Sequence, residues 1–262
     1  MLLTINPTMV TVLRLHLPHP AFTSEELSAA LVELSVPSLR TVYICADAID
    51  PSSLRLFLDR HSGIKSVEYA GFSREGAQRP LFHPPLAHPG LTTLETTAHG
   101  NRSSGRLLAA LETSPNLHTF CFRFSCFPTA ANLAGLIRDL QRLSARTRET
   151  TLRLHLWNRD GRTGGARFWV AHPDVRAVAQ TLHCVQTVNL LTWSVKTAER
   201  TLPWLALLPA VSAVHFTLNF PGRDSELSQA EFTTQKRVFM AKAEAALQLG
   251  LVPVPNITVT VC

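Results

Sequence analysis

The run LHTFCFRF at 117–124 sets large apolar side chains at alternate positions with polar or small ones between them, and the same cadence returns along the chain. Aligned on L-x-x-L-x-L, it gives Val10/Leu13/Leu15, Leu39/Val42/Ile44, Ile64/Val67/Tyr69, Leu91/Leu94/Thr96 and Leu117/Phe120/Phe122. Glu149/Leu152/Leu154, Val185/Val188/Leu190 and Val211/Val214/Phe216 follow, with first positions 25 to 36 residues apart. A last strand is expected in NITVTV at 256–261. Period-two alternation over so short a run predicts a half-buried strand.

Helical patterns fill the gaps. TSEELSAALVEL offers a capping box, Thr23 with Glu26, and then Leu27, Leu31 and Leu34 on one face. DPSSLRLFLDRH has Asp50 as N-cap and Pro51 at the first helical position, where a missing N–H costs nothing. Leu107, Leu108 and Leu111 stripe the next helix, and Leu133, Leu136, Ile137 and Leu140 the one after. Pro173 opens a short helix with Val175, Val178 and Leu182, a further one covers 197–208, and Ser228 with Glu231 caps the last, to about 249.

Strand then helix, repeated, suits a doubly wound sheet, an eight-stranded barrel or a solenoid. Strands covered on both faces read as continuous apolar runs, and these alternate. A barrel interior wants bulky branched residues, whereas the first outward column here is Val12, Thr41, Ser66, Thr93, Thr119, Thr151, Thr187 and Ala213. The pattern therefore predicts an α/β solenoid, or horseshoe, with parallel strands on the concave face and helices on the convex face. Residues 1–262 are expected to form one such domain of about eight or nine units.

With these repeats in view, the chain resembles the leucine-rich-repeat family in its longer form, with a full helix per repeat. SPNLHTFCFRF and VPSLRTVYICAD resemble the repeats that follow an F-box in many fungal proteins. The family's usual Asn or Cys, three residues past the last template position, occurs here as Asn219 alone. The other positions hold Pro18, Asp47, Phe72, His99, Ser125, Trp157 and Trp193, so an irregular solenoid without a regular asparagine ladder is expected. No segment looks like an F-box, and the chain starts almost inside its first strand; residues 1–262 thus resemble the C-terminal recognition part of a longer protein, or a protein that has lost the helix-rich adaptor-binding element. The resemblance implies substrate selection for a ubiquitin ligase, with a Skp-type adaptor as partner if an F-box lies outside this chain.

Composition adds exclusions. A 45% hydrophobic, 17% charged chain of 262 residues is ordinary globular material. The +6 formal charge is mostly scattered along the sequence. Cys45, Cys121, Cys126, Cys184 and Cys262 form no CxxC pair, and they read as buried thiols in a reducing compartment, with no disulfide framework and no zinc signature. Neither a signal peptide nor an apolar run of about 18 residues is present, so an intracellular, cytoplasmic or nuclear protein without a membrane anchor is expected. The sequons at Asn101 and Asn256 read as chance matches.

The partner-binding candidates lie between the last two template positions, where Arg14, Tyr43, Glu68, Glu95, Cys121, Arg153, Asn189 and His215 form a column, and in the next column, with His16, Arg123 and His155. Parallel strands would hold such side chains in rows about 4.8 Å apart, and a protein partner is expected there. The competing reading is a row of solvated strand residues. WNRDGRTGGARFW, with Arg159, Arg162 and Arg167 among aromatics, could grip nucleic acid; it also reads as a surface insertion, and Arg138, Arg142, Arg146 and Arg148 as the wet face of the preceding helix. The proline-rich stretch 71–90 must be an extended loop, and its His83 and His88 lack a carboxylate or thiol at ligand spacing, so no metal and no cofactor is expected. No catalytic motif is present, and Cys121 and His215 fall several strands apart, so no enzyme is expected. A truncated product with apolar surface at 2–15 is the remaining alternative.

Overall fold

The computed structural model describes residues 9–16, 24–45, 49–69, 84–98, 105–125, 130–157, 170–192, 195–218, 229–248 and 255–261. The chain divides into two compact units, Met1–Thr119 and Phe120–Cys262. It is α/β, with nine strands among the described residues, and every described pairing is parallel.

The first unit runs β1 (Val12–His16), α1 (Ser24–Glu33), β2 (Thr41–Cys45), α2 (Pro51–Arg60), β3 (Ser66–Tyr69), β4 (Thr93–Ala98) and α3 (Gly105–Leu111). Its strands β1 to β4 lie side by side in chain order. β5 (Thr119–Ser125) spans the boundary. The second unit continues with α4 (Ala130–Ser144), β6 (Thr150–Trp157), α5 (Pro173–Ala179), β7 (Val185–Thr192), α6 (Val195–Leu205), β8 (Ala213–Leu218), α7 (Gln229–Gln248) and β9 (Asn256–Val261). Strands β6 to β9 are again consecutive neighbours.

Consecutive parallel order means that each crossover steps one strand in the same direction, and crossovers of one hand then put their helices on one face. Burial agrees. Along β8 the residues alternate half-buried and buried, from Ala213 to Leu218, whereas helices on both faces would bury every position. The template residues Val42, Ile44, Val67 and Leu94 of the first unit and Val188, Leu190, Val214 and Phe216 of the second are buried. Helices meet this core with their apolar stripes: Leu54, Phe57 and Leu58 from α2, and Phe239, Ala243 and Leu247 from α7. The Phe239 ring stands edge-on to Phe216, centroids 4.9 Å apart.

Local signals account for the starts. Asp50 caps α2 by accepting from the Ser53 N–H at 2.9 Å, with Pro51 next, as the sequence predicts. The capping Thr23 and Ser228 lie outside the described residues. At the foot of each strand in the first unit one carbonyl accepts twice. Arg40 and Thr41 donate to Thr11, Lys65 and Ser66 to Arg40, Thr92 and Thr93 to Lys65, and His118 and Thr119 to Thr92. This recurrence is the structural content of the sequence repeat.

The turn before each strand brings a feature that the template did not predict. Three residues ahead of the first template position stand Val36, His61, His88 and Ser114, all buried. Such turns bury backbone groups that need partners. The Val36 N–H donates to His61 Nε2 at 2.9 Å, and His61 Nδ1 reaches the Phe57 carbonyl at 2.7 Å, which fixes the ring proton on Nδ1. His88 Nε2 meets the His61 carbonyl at 3.2 Å, and the His88 N–H donates to Ser114 Oγ at 3.1 Å. In the first unit, neighbouring repeats thus satisfy one another's turns. The Asn or Cys positions of the family ladder, at the other end of the strands, fall outside what is described of the side chains.

Candidate functional site on the strand face

Alternation decides which side chains are available. With Leu13, Val42, Val67 and Leu94 directed into the core, the residues that follow each of them share the opposite face. The register sets Arg14 opposite Tyr43, Tyr43 opposite Glu68, and Glu68 opposite Glu95. In the second unit Arg153 pairs with Asn189, Asn189 with His215, and His215 with Thr258. The predicted middle column therefore runs in register over β1 to β4 and over β6 to β8. A bulge at Thr150/Thr151 absorbs one extra residue of β7 and explains why the template was weakest at Glu149.

The rows are not uniformly open. Arg14 and Arg153 are exposed and Tyr43, Glu95, Asn189 and His215 half-buried, but Glu68 is only 9% exposed. A carboxylate is seldom buried that far unless it is engaged, so Glu68 is part of the floor rather than a solvated strand residue. His215 Nδ1 is hydrogen-bonded to Thr258 Oγ1 on the neighbouring strand, which orients that ring. The His16 side chain, and Arg159, Arg162 and Arg167 of the arginine-rich segment, lie outside the described residues. On α4, Arg138 and Arg142 are exposed, while Arg146, just past the end of that helix, is half-buried with its guanidinium 5.1 Å above the Phe120 ring, a cation–π contact that makes it a packing residue.

Within the second unit, Cys121 of β5 and His155 of β6 lie 3.6 Å apart, Sγ to Nε2. Cys121 is 2% exposed and His155 half-buried. Burial, and then the nearby guanidiniums of Arg123 and Arg153, hold the imidazole down at about 4, so it is neutral at neutral pH. Cys121 and His215 fall several strands apart, whereas the diagonal neighbour of Cys121 is His155. The signal was there, since His155 stands one outward position beyond Arg153 in the next repeat. A thiol beside a neutral imidazole is the raw material of a nucleophile, but a sulfur this enclosed offers a carbonyl substrate no approach.

Among the described residues a second buried thiol, Cys184, donates to the Leu143 carbonyl at 3.2 Å, and burial pushes its pKa up, as expected of an inert core cysteine. Among the described residues no helix is long and apolar enough to cross a membrane. No protein-family model matches the chain, and no curated protein matches it either.

Proposed function

We propose that the chain is a non-catalytic protein-interaction module: a leucine-rich-repeat-like solenoid that holds a protein partner against its strand face, resembling the substrate-recognition part of fungal F-box proteins. The observation that carries this reading is the register, which lines up Arg14, Tyr43, Glu68 and Glu95 in one unit and Arg153, Asn189 and His215 in the other. Rows of mixed charge and hydrogen-bonding capacity on hydrogen-bonded strands are preorganised, so a partner meets fixed groups and little ordering cost opposes binding. Arg123 and His155 extend the second unit's share of the face.

The test is affinity capture from a fungal lysate with the wild-type chain and with a Glu68→Ala, Glu95→Ala, Arg153→Ala variant, both checked for folding by circular dichroism. A protein captured by the wild type and lost with the variant is then purified and its affinity measured directly. Identical captures would sink the strand-face reading. Captures removed by nuclease, with affinity falling steeply in salt, would instead favour nucleic-acid binding through Arg159, Arg162 and Arg167.

A further inference from the structure

Besides lying on the strand face, the Cys121 and His155 pair has a geometry that suits another use. We propose that Cys121 Sγ and His155 Nε2 are two ligands of a thiolate-seeking transition-metal ion, with zinc the ion that fits best.

Zinc binds cysteine sulfur at about 2.3 Å and histidine nitrogen at about 2.0–2.1 Å, and a tetrahedral angle between those bonds puts the two ligand atoms roughly 3.6 Å apart. The observed separation is 3.6 Å, so an ion can be taken up without moving either strand. Cys121 and His155 come from neighbouring repeats of the second unit, each on a strand, a more rigid platform than a loop. Cys121 is 2% exposed, which shields a metal thiolate from oxidants, while half-buried His155 leaves a way in. Two protein ligands leave coordination positions for water or for a donor atom of a bound partner, as in zinc sites that stay open.

The surroundings select the kind of ion. Arg123 and Arg153 put positive charge beside His155, and an oxygen-seeking cation such as Mg²⁺ or Ca²⁺ finds no compensating ligand in a thiol. An ion that displaces the thiol proton gains an anionic sulfur, which the guanidiniums also favour, and soft sulfur with imidazole suits Zn²⁺ or Cu⁺. Without an ion the same pair is joined by a hydrogen bond between Cys121 Sγ and His155 Nε2, and the two states differ in one spectroscopic property.

That property is thiolate-to-metal charge transfer. The full chain, stripped with a chelator, is titrated with Co²⁺ as the probe and followed in the near ultraviolet, and Zn²⁺ is then added. The expected result is a band that saturates at one Co²⁺ per chain and is abolished by Zn²⁺. Cys121→Ser removes the band, His155→Gln weakens binding about tenfold or more, and Cys184→Ser leaves both unchanged. Absence of the band in the wild type up to millimolar cobalt, or its survival in Cys121→Ser, overturns the proposal. Should Cys121→Ser fail to fold, His155→Gln and the wild-type melting temperature decide: zinc must raise that temperature, and no rise also overturns the site.

Discussion

The backbone N–H of Val36 donates to Nε2 of His61 at 2.9 Å, joining two turns 25 residues apart in sequence. Neither residue belongs to the leucine template, yet the bond ties one repeat to the next at a buried place where water cannot substitute. Replacing His61 by Leu should strand that N–H and destabilise the chain by about 1–3 kcal/mol, the usual penalty for a buried unsatisfied donor. Urea denaturation of the purified protein reads this directly, and an unchanged midpoint would mean that the turn finds another acceptor.

His88 contributes to the pH dependence, beside His155, whose imidazole burial also holds low. The His88 pKa lies below the ordinary 6.5 because burial outweighs the help that the His61 and Leu58 carbonyls and the Asp59 carboxylate give the cation. The unfolded chain therefore takes up a proton near pH 6.5 that the folded chain resists. The stability that His88 lends is complete above that pH and is lost as pH falls below it. Denaturation midpoints should drop between pH 7 and pH 5, and His88→Gln should flatten that slope. An equal slope in the variant would assign the effect to other groups.

Two glycines should respond in opposite directions. A Cβ at Gly90 would run into the Ser62 carbonyl oxygen and lie 2.9 Å from that of Ile64, both backbone atoms of the preceding repeat, whereas one at Gly135 meets nothing within 4 Å. Gly90→Ala should cost about 1–3 kcal/mol through forced displacement. Gly135→Ala, inside α4, should add about 0.5–1 kcal/mol from helix propensity. Thermal melts of the two variants check the pair.

Asp50 tests the cap of α2. The Ser53 N–H, its main partner, holds the Asp50 carboxyl below the usual 3.8. Asp50→Ala should cost about 1 kcal/mol near neutrality. That difference should shrink as pH falls through the carboxylate range, because a lowered acid stabilises only where it is ionised. A pH-independent difference would point to lost packing instead.

The strand positions, the crossover helices and the middle column from Arg14 to Glu95 and from Arg153 to His215 were legible because each is a consequence of period. Outward residues of parallel neighbours fall into rows whenever the repeats stay in register, and the template kept count of that register except at Glu149, where a bulge intervened. Asp50 and Pro51 were legible for a different reason: a cap acts within four residues.

What the sequence could not supply depends on distance in three dimensions. His83 and His88 looked alike in a proline-rich loop, yet His88 is a core residue spanning two turns. Arg146 looked like one more cation on a wet helix face until Phe120 was found beneath it. Cys121 and His155, 34 residues apart, come together because adjacent strands bring diagonal outward positions into reach. By itself the sequence determined the α/β pattern and the rows, since hydrophobic periodicity is a local property that each strand and helix expresses alone. Only the tertiary structure decided which polar groups are buried, paired or open, because desolvation and hydrogen bonding are set by whichever neighbours the packed chain supplies.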